Sequence, residues 1–299
     1  MDFSIVIPTY SNTTSLPACL AAFARQTYPA DRFEVIVVDD GSPTPARPII
    51  EKVQNRVHLH LIEQPNAGPA TARNRGAQKA SGKYLAFIDD DCRPHPGWLA
   101  ALIHRVERFP DGLIGGKTIN LLENNIYSAA SQVLIDFLYD HFLATDSPYR
   151  FFTSNNLAMQ TCLFDILGGF DERMPLAAGE DREFSERWRQ NGFSMVFAPE
   201  AVVYHAHALD LRSFYWQHFN YGRGAWLYHQ IRKTRWGRQF AIPPSGFYPK
   251  MMLHPHRLRR PCPFRLSALI LLSQIANTAG FLSEQFHKLL GNRWAGTLS

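Results

Sequence analysis

Three consecutive carboxylates, Asp89, Asp90 and Asp91, follow directly on an apolar run in "FIDDDC" (87–92). Like charges at this spacing repel, so a cation, a cluster of basic residues or exposure to water has to compensate them. If residues 87–91 stay extended, Asp89 and Asp91 project to one side and Asp90 to the other. Two same-side carboxylates at a strand end suit a hard divalent cation, which takes oxygen ligands. A solvated acidic turn is the simpler alternative. Other groups fit for chemistry also stand at the ends of apolar runs. Asp39 and Asp40 close the run in "FEVIVVDDGS" (33–42), and Thr9 and Tyr10 close "FSIVIPTY" (3–10). "GEDREFSERW" (179–188) opens a helix with Glu180 and Asp181 in its first turn, a placement that the helix dipole favours on its own. "AVVYHAHA" (201–208) reads as a strand ending in His205, with His207 on the same side of an extended chain.

The elements that must position these groups follow from periodicity. Residues 3–10 and 33–42 are β-branched apolar runs, the second too uniformly apolar to be half exposed, so it is expected as a central parallel strand. Residues 15–27 have helical spacing, 57–64 alternate as a third strand, 68–82 form a helix with a Ser-Gly stop, and 83–91 form a fourth strand. Strand, helix, strand, strand, helix, strand within ninety residues is a nucleotide-binding α/β layout. Ligands of such sheets sit beyond the carboxyl ends of the parallel strands. Thr9–Tyr10, Asp39–Asp40 and Asp89–Asp91 would converge there.

Composition agrees with an enzyme-sized globular chain. The 299 residues are 45% hydrophobic and 19% charged, which excludes disorder. Cys19, Cys92, Cys162 and Cys262 lack any metal-ligand spacing and read as reduced thiols. "FSIVIP" is too short for the apolar core of a signal peptide, so a cleaved leader is not expected. Charge is distributed unevenly. Residues 205–299 hold 13 Lys and Arg against 2 Asp and Glu, while residues 1–204 hold 18 against 24. A basic tail on an acidic body implies an anionic partner for the tail.

"VIPTYSN", "VVDDGS", "NAGPATARNRGAQKASG", "FIDDDC", "GGFDE" and "GEDREFSERWRQNG" occur in an order and spacing that resembles the family 2 glycosyltransferases, over roughly residues 3–225. The resemblance implies the α/β GT-A fold, with a single mostly parallel central sheet flanked by helices, and inverting, metal-dependent transfer of a sugar from a nucleotide-diphosphate donor. It places the metal-binding DxD on Asp89 and Asp91, with Asp91 the closer ligand and Asp89 near the ribose and sugar. Asp40 would read a ring N–H of the base, with Pro8, Thr9 and Tyr10 as the wall behind it, and Arg73 would contact the nucleotide. Asn156 in "SNNLAM" matches the segment that lines the donor sugar. Asp181 is the implied general base, with Glu180 as the alternative or a positioning residue. His205 is the implied further metal ligand and His207 its competitor. An imidazole ligand favours Mn²⁺ over Mg²⁺.

The tail completes the expected organisation: a catalytic domain over 1–235 and a basic, amphipathic, membrane-associating C-terminal region over 236–299. In residues 264–286, Ser267, Gln274, Thr278 and Gln285 recur on one stripe, with Leu272, Ile275, Ala279, Leu282 and Phe286 opposite. That pattern suits a helix lying in the bilayer interface, and "HPHRLRRPCPFR" before it suits anionic headgroups. The expected partners are a nucleotide-diphospho-sugar, a glycan or lipid-linked acceptor and a membrane surface, without nucleic acid, at the cytoplasmic face of a membrane. Processive synthases carry QxxRW, whereas here Gln230 stands too far from Arg235–Trp236, so single addition is expected. The rivals are an inactive carbohydrate-binding subunit at the membrane and a sugar-nucleotide pyrophosphorylase, whose Gly-rich basic signature is missing from "IVIPTYSNTT".

Overall fold

The computed structural model describes residues 1–53, 57–143, 149–237 and 245–295, with side chains as far as Lys288. The chain divides into two compact units. A sheet unit comprises Met1–Leu121, Asp146–Pro175 and Asp181–His207, and a helical unit comprises Leu122–Thr145, Leu176–Glu180 and Ala208–Ser299. The sequence places its boundary after residue 235, one residue before the end of the helix Leu211–Trp236, which belongs as a whole to the helical unit. Residues 238–244 and 296–299 of the expected C-terminal region lie outside the described residues.

The sheet unit is built on strands β1 (Phe3–Thr9), β2 (Phe33–Asp39), β3 (Leu59–Glu63), β4 (Tyr84–Phe87), β5 (Cys92–Pro94), β6 (Leu113–Asn120), β7 (Leu157–Gln160) and β8 (Met195–His205). Their order across the sheet is β3-β2-β1-β4-β7-β6-β8-β5. The β3-β2-β1-β4 half is parallel, β7 runs antiparallel to both β4 and β6, and β6 and β8 are parallel again. Every residue of β2 is buried, as its uninterrupted apolar run requires of a strand covered on both faces. Alternation divides the two faces. Phe3, Ile5 and Ile7 of β1 join the core formed with helices α1 (Leu16–Phe23) and α4 (Trp98–Arg108). On the remaining surface, helix α3 (Pro69–Ala77) lies against β1 and β2. Phe87 at the end of β4 packs on Phe164 and Phe170, with ring centroids 5.3 and 5.2 Å away. Phe164 belongs to α6 (Thr161–Leu167), and Phe184 of α7 (Glu180–Gln190) closes the cluster 4.8 Å from Phe170. Short α2 (Arg47–Val53), which lacks a clear apolar stripe, was not anticipated from the sequence.

The helical unit contains α5 (Ile126–Leu143), α8 (Leu211–Trp236), α9 (Phe247–Arg257) and α10 (Pro263–Ala295). Its core gathers Val133 and Phe137 of α5, Phe214 of α8, Phe247 and Met251 of α9, and Leu266 and Ile270 of α10. A capping box starts α8: the Asp210 carboxylate accepts from the Ser213 N–H while the Ser213 hydroxyl oxygen accepts from the Asp210 N–H. Helices α8 and α10 meet backbone to backbone. A Cβ placed on Gly280 would stand 1.9 Å from the Phe219 carbonyl oxygen, and one on Gly222 would stand 1.8 Å from that of Asn277. No side chain longer than hydrogen fits either position. Gly280→Val is therefore expected to cost at least about 3 kcal/mol, the upper end of overpacking effects, because the obstacle is backbone. Urea denaturation of the variant against the parent measures it.

Candidate active site

The strand ends do converge, but the carboxylate triplet is not extended. Strand β4 stops at Phe87, and a turn closed by the Cys92 N–H donating to the Asp89 carbonyl (3.0 Å) carries all three aspartates. The expected same-side parity of Asp89 and Asp91 is thereby replaced by three separate directions. Asp89 receives the guanidinium of buried Arg73 from α3 at 2.8 Å. Asp90 turns back to the end of β1, accepting from the Thr9 hydroxyl and from the Asn12 amide (2.8 Å). Burial, together with its acidic neighbours, pushes Asp90 up to about 7 against the opposing pull of those two donors. Asp91 meets His205 Nε2 at 3.1 Å.

Strand register explains the last contact. Cys92 of β5 pairs with His205 of β8, and the Ala206 N–H donates to the Asp91 carbonyl at 2.9 Å, so the final residue of β8 is fixed beside Asp91. Burial favours the neutral form of each partner, but their mutual attraction wins. The Asp91 carboxyl falls below its usual range and the His205 imidazole rises above its own. His207, its ring 5.0 Å from that of His205, is held below the usual histidine range by burial and by His205. One oxygen of Asp91 and one ring nitrogen from each histidine lie within 4.8 Å of one another. A carboxylate with two imidazoles fits a divalent transition ion better than Mg²⁺, which prefers an all-oxygen shell. The expected set was Asp91, Asp89 and His205. In the structure His207 completes the cluster, and Asp89 is turned toward Arg73 instead.

Asp181 stands half-buried in the first turn of α7, its carboxylate accepting from the Arg182 N–H at 2.7 Å. Burial raises its proton affinity, while Arg182, Arg73 and that hydrogen bond pull the other way and Asp89 adds to the rise. Glu180, the residue before it, is buried. At the end of β2, Asp39 caps the following loop through the Ser42 and Ala46 N–H groups (2.9 and 2.8 Å). Asp40 accepts from the Gln64 amide and from the Ala67 and Gly68 N–H groups, at 2.7, 2.9 and 2.9 Å. An ionised carboxylate has about four acceptor positions, of which these donors take three. Pro8 is half-buried and Thr9 buried, and Tyr10 is the exposed member of the expected wall.

Asn156 needs correction. It is fully buried; its amide oxygen accepts from the Trp98 indole N–H (2.9 Å), and its NH₂ donates to the Lys117 and Ala201 carbonyls (3.1 and 2.9 Å). It is a staple within the sheet unit, not the wall of an open cleft. Sequence reasoning missed two residues: Asn12, which holds Asp90, and Gln64, which holds Asp40. Both follow strand ends at the ligand edge, which is the signal that would have found them.

Residues 4–168 match the Glycosyl transferase family 2 profile. Glycosyltransferase AglE of Haloferax volcanii is 29% identical over 265 residues, covering 85% of this chain and 83% of its own. Among solved structures, mannosyltransferase PcManGT from Pyrobaculum calidifontis, in complex with GDP-Man and Mn²⁺, aligns with TM-score 0.59 at 20% identity over 99% of this chain and 80% of its own. S. aureus TarS 1-349 in complex with UDP-GlcNAc gives TM-score 0.58 at 19% identity, over 97% of this chain and 92% of its own. These likenesses establish the GT-A arrangement of sheet and helices. The chain belongs to glycosyltransferase family 2 and is a glycosyltransferase acting with nucleotide-sugars.

Asn156→Leu is expected to leave the Trp98 indole and two carbonyls without partners. At about 1–3 kcal/mol for each buried unsatisfied group, more than about 2 kcal/mol of stability should be lost. Chemical denaturation measures it. Unchanged stability with weakened donor binding would instead return Asn156 to the donor site.

Proposed function

We propose that the protein is a metal-dependent, inverting glycosyltransferase. It moves one sugar from a nucleoside-diphosphate donor to a hydroxyl of a lipid-linked or membrane-proximal glycan, at the cytoplasmic face of a membrane. The observation that carries this is the pairing of two sets at one sheet edge: the metal-fit cluster Asp91–His205–His207, and the charged set Arg73, Asp89 and Asp181. Asp40, with one acceptor position remaining, takes a ring N–H, a group that uracil and guanine both offer; Tyr10 supports the base. The complexes of TarS with UDP-GlcNAc and of PcManGT with GDP-Man bracket those two donor classes. Arg73 neutralises Asp89, which allows that carboxylate to lie near an anionic donor. Asp91, His205 and His207 would hold a divalent cation, which would supply positive charge to the leaving diphosphate.

Asp181 accepts the proton of the acceptor hydroxyl as that oxygen bonds to the anomeric carbon. The bond from that carbon to the phosphate oxygen breaks with its electron pair, and the nucleoside diphosphate leaves from the opposite face, inverting the configuration. Glu180 sits beside the base as a positioning residue. Retention of Asp89, Asp91 and Asp181 weighs against an inactive subunit, whose purified form would hydrolyse no nucleotide-sugar. The four cysteines are free, in keeping with a reducing compartment.

Two outcomes test the reading. A thermal-shift screen should find UDP or GDP stabilising the protein with Mn²⁺ and far less with EDTA. Asp91→Asn should weaken the Mn²⁺-dependent part by more than the roughly 10–100-fold that loss of an outer partner of a metal ligand costs. Full activity in EDTA would refute metal dependence.

The second concerns pH. A general base works deprotonated, and Asp181 has a raised proton affinity, so kcat should fall on acidification at a higher pH than an ordinary carboxylate would set. Asp181→Asn should cost roughly 10²–10⁴-fold in kcat and remove that acidic limb while nucleotide affinity stays near wild type. A parallel loss of donor binding would make Asp181 a donor-site residue instead.

A further inference from the structure

Helix α10 carries large apolar side chains on its outer face as well as its inner one. Phe264, Leu271, Ile275, Leu282 and Phe286 are each 53–80% exposed. Their spacing sets them on one stripe, roughly 33 Å long at 1.5 Å per residue. Two hydroxyls, by contrast, are spent inside the protein: half-buried Ser267 donates to the Met252 carbonyl at 2.7 Å and buried Ser273 to that of Ile270 at 2.7 Å. Leu211 and Trp216 of α8, Tyr248 and Leu253 of α9, and Leu258 add exposed apolar surface to the same unit. Patches of this extent mark a partner or a membrane.

We infer that α10 lies in the plane of a membrane bearing anionic lipids, with its stripe among the acyl chains and Arg257, Arg259, Arg260 and Arg265 on the headgroups. This rests on the membrane-proximal reading above and deepens it by fixing the helix as non-spanning. Residues Pro263–Lys288 are long and apolar enough to cross a bilayer. The opposite face of α10 forbids it. Leu266, Ile270, Ser273 and Ala276 are buried there, and the Gly222 and Gly280 contacts lock α10 to α8 backbone against backbone. Arg223 of α8 also pairs with Glu284 of α10. Crossing would require α8 to follow, with Arg212, Arg223, Arg232, Lys233 and Arg235 within its 26 residues, or α10 to detach from it. An in-plane helix keeps its inner face on protein and offers its outer face to lipid. The four arginines are exposed and stand immediately before or at the start of the stripe, with Arg260 also 3.3 Å from Asp136. Their charge selects an anionic membrane over a second copy of this equally basic surface.

The test uses the full chain and sealed vesicles of phosphatidylcholine with or without phosphatidylglycerol. Co-sedimentation should require the anionic lipid, and Arg257→Glu and Arg259→Glu should each weaken it by more than the roughly fivefold that loss of one basic charge costs. Ile275→Glu with Leu282→Glu should abolish it without lowering the melting temperature, since both side chains are exposed. For orientation, Cys162→Ser leaves Cys262 as the exposed thiol at the start of α10, and His287→Cys adds one near its far end. A membrane-impermeant maleimide added outside should label both positions on bound protein. Protection of either end until detergent is added would show a spanning helix and overturn the inference while leaving membrane attachment intact. Absence of vesicle binding would overturn it too, and so would a soluble dimer that Ile275→Glu dissociates. Mn²⁺-dependent nucleotide binding, followed in the same samples, shows whether the glycosyltransferase reading survives such a failure.

Discussion

Three adjacent carboxylates at the end of a buried strand have to be discharged one by one, and the ligand edge of the sheet is arranged around that requirement. Two unit charges about 4 Å apart repel by about 4 kcal/mol at an effective dielectric of 20. The turn at Asp89–Cys92 separates the three and gives each a partner from a different element. Arg73 comes from α3, Thr9 and Asn12 from β1 and the loop after it, and His205 from the last position of β8. These partners require β1 beside β4, α3 against β1, and β8 in register with β5. The sheet order, the packing of α3 and the β5–β8 pairing meet these conditions. The three charges consequently have three different fates: a salt bridge, a carboxyl pushed up to about 7, and an ion pair with an imidazole.

Arg73 links two of the groups assigned to chemistry. Its guanidinium contacts Asp89 and also lowers the proton affinity of Asp181, while Asp89 raises it. Both act on Asp181 in opposite senses, behind burial and the nearer Arg182. A buried, fixed cation acts on its neighbours because little water is present to screen it. Burial at the first turn of α7 sets the upward shift of Asp181, which Arg182 and, more weakly, Arg73 oppose.

Strands β1 and β2 were legible because both faces of the sheet are covered, so their burial appears as unbroken apolar runs. The parity argument for Asp89 and Asp91 failed where the strand ended at Phe87, since alternation holds only while the chain stays extended. Strand pairings such as β4 with β7, or β5 with β8, join residues far apart in sequence and leave no local pattern. Asn156 was misread for that reason: its three partners lie on α4, β6 and β8, and no local signal distinguishes a ligand amide from a staple. His207 could be named from its place two residues beyond His205, but its position in the cluster depends on how the chain leaves β8. The helical unit draws α5 and α8 into its core from well before residue 235, a grouping set by long-range packing that no local pattern announces.

Helix α10 shows a further limit of periodicity. The sequence distinguishes a polar stripe from an apolar one, yet Thr278 and Gln285 of the first and Ile275, Leu282 and Phe286 of the second are all exposed; the direction of the core depends on the partner helix. Here the partner is α8, and it approaches where glycines stand, not where leucines do. Two helices can close to backbone contact only at positions without side chains, so Gly222 and Gly280 decide which face of α10 turns inward. Ser267 and Ser273 turn inward as a consequence, and hydrogen bonds to main-chain carbonyls satisfy them without water. The leucines, isoleucine and phenylalanines left outside are then the unsatisfied part of the structure. Only an apolar phase, or another apolar surface, satisfies them.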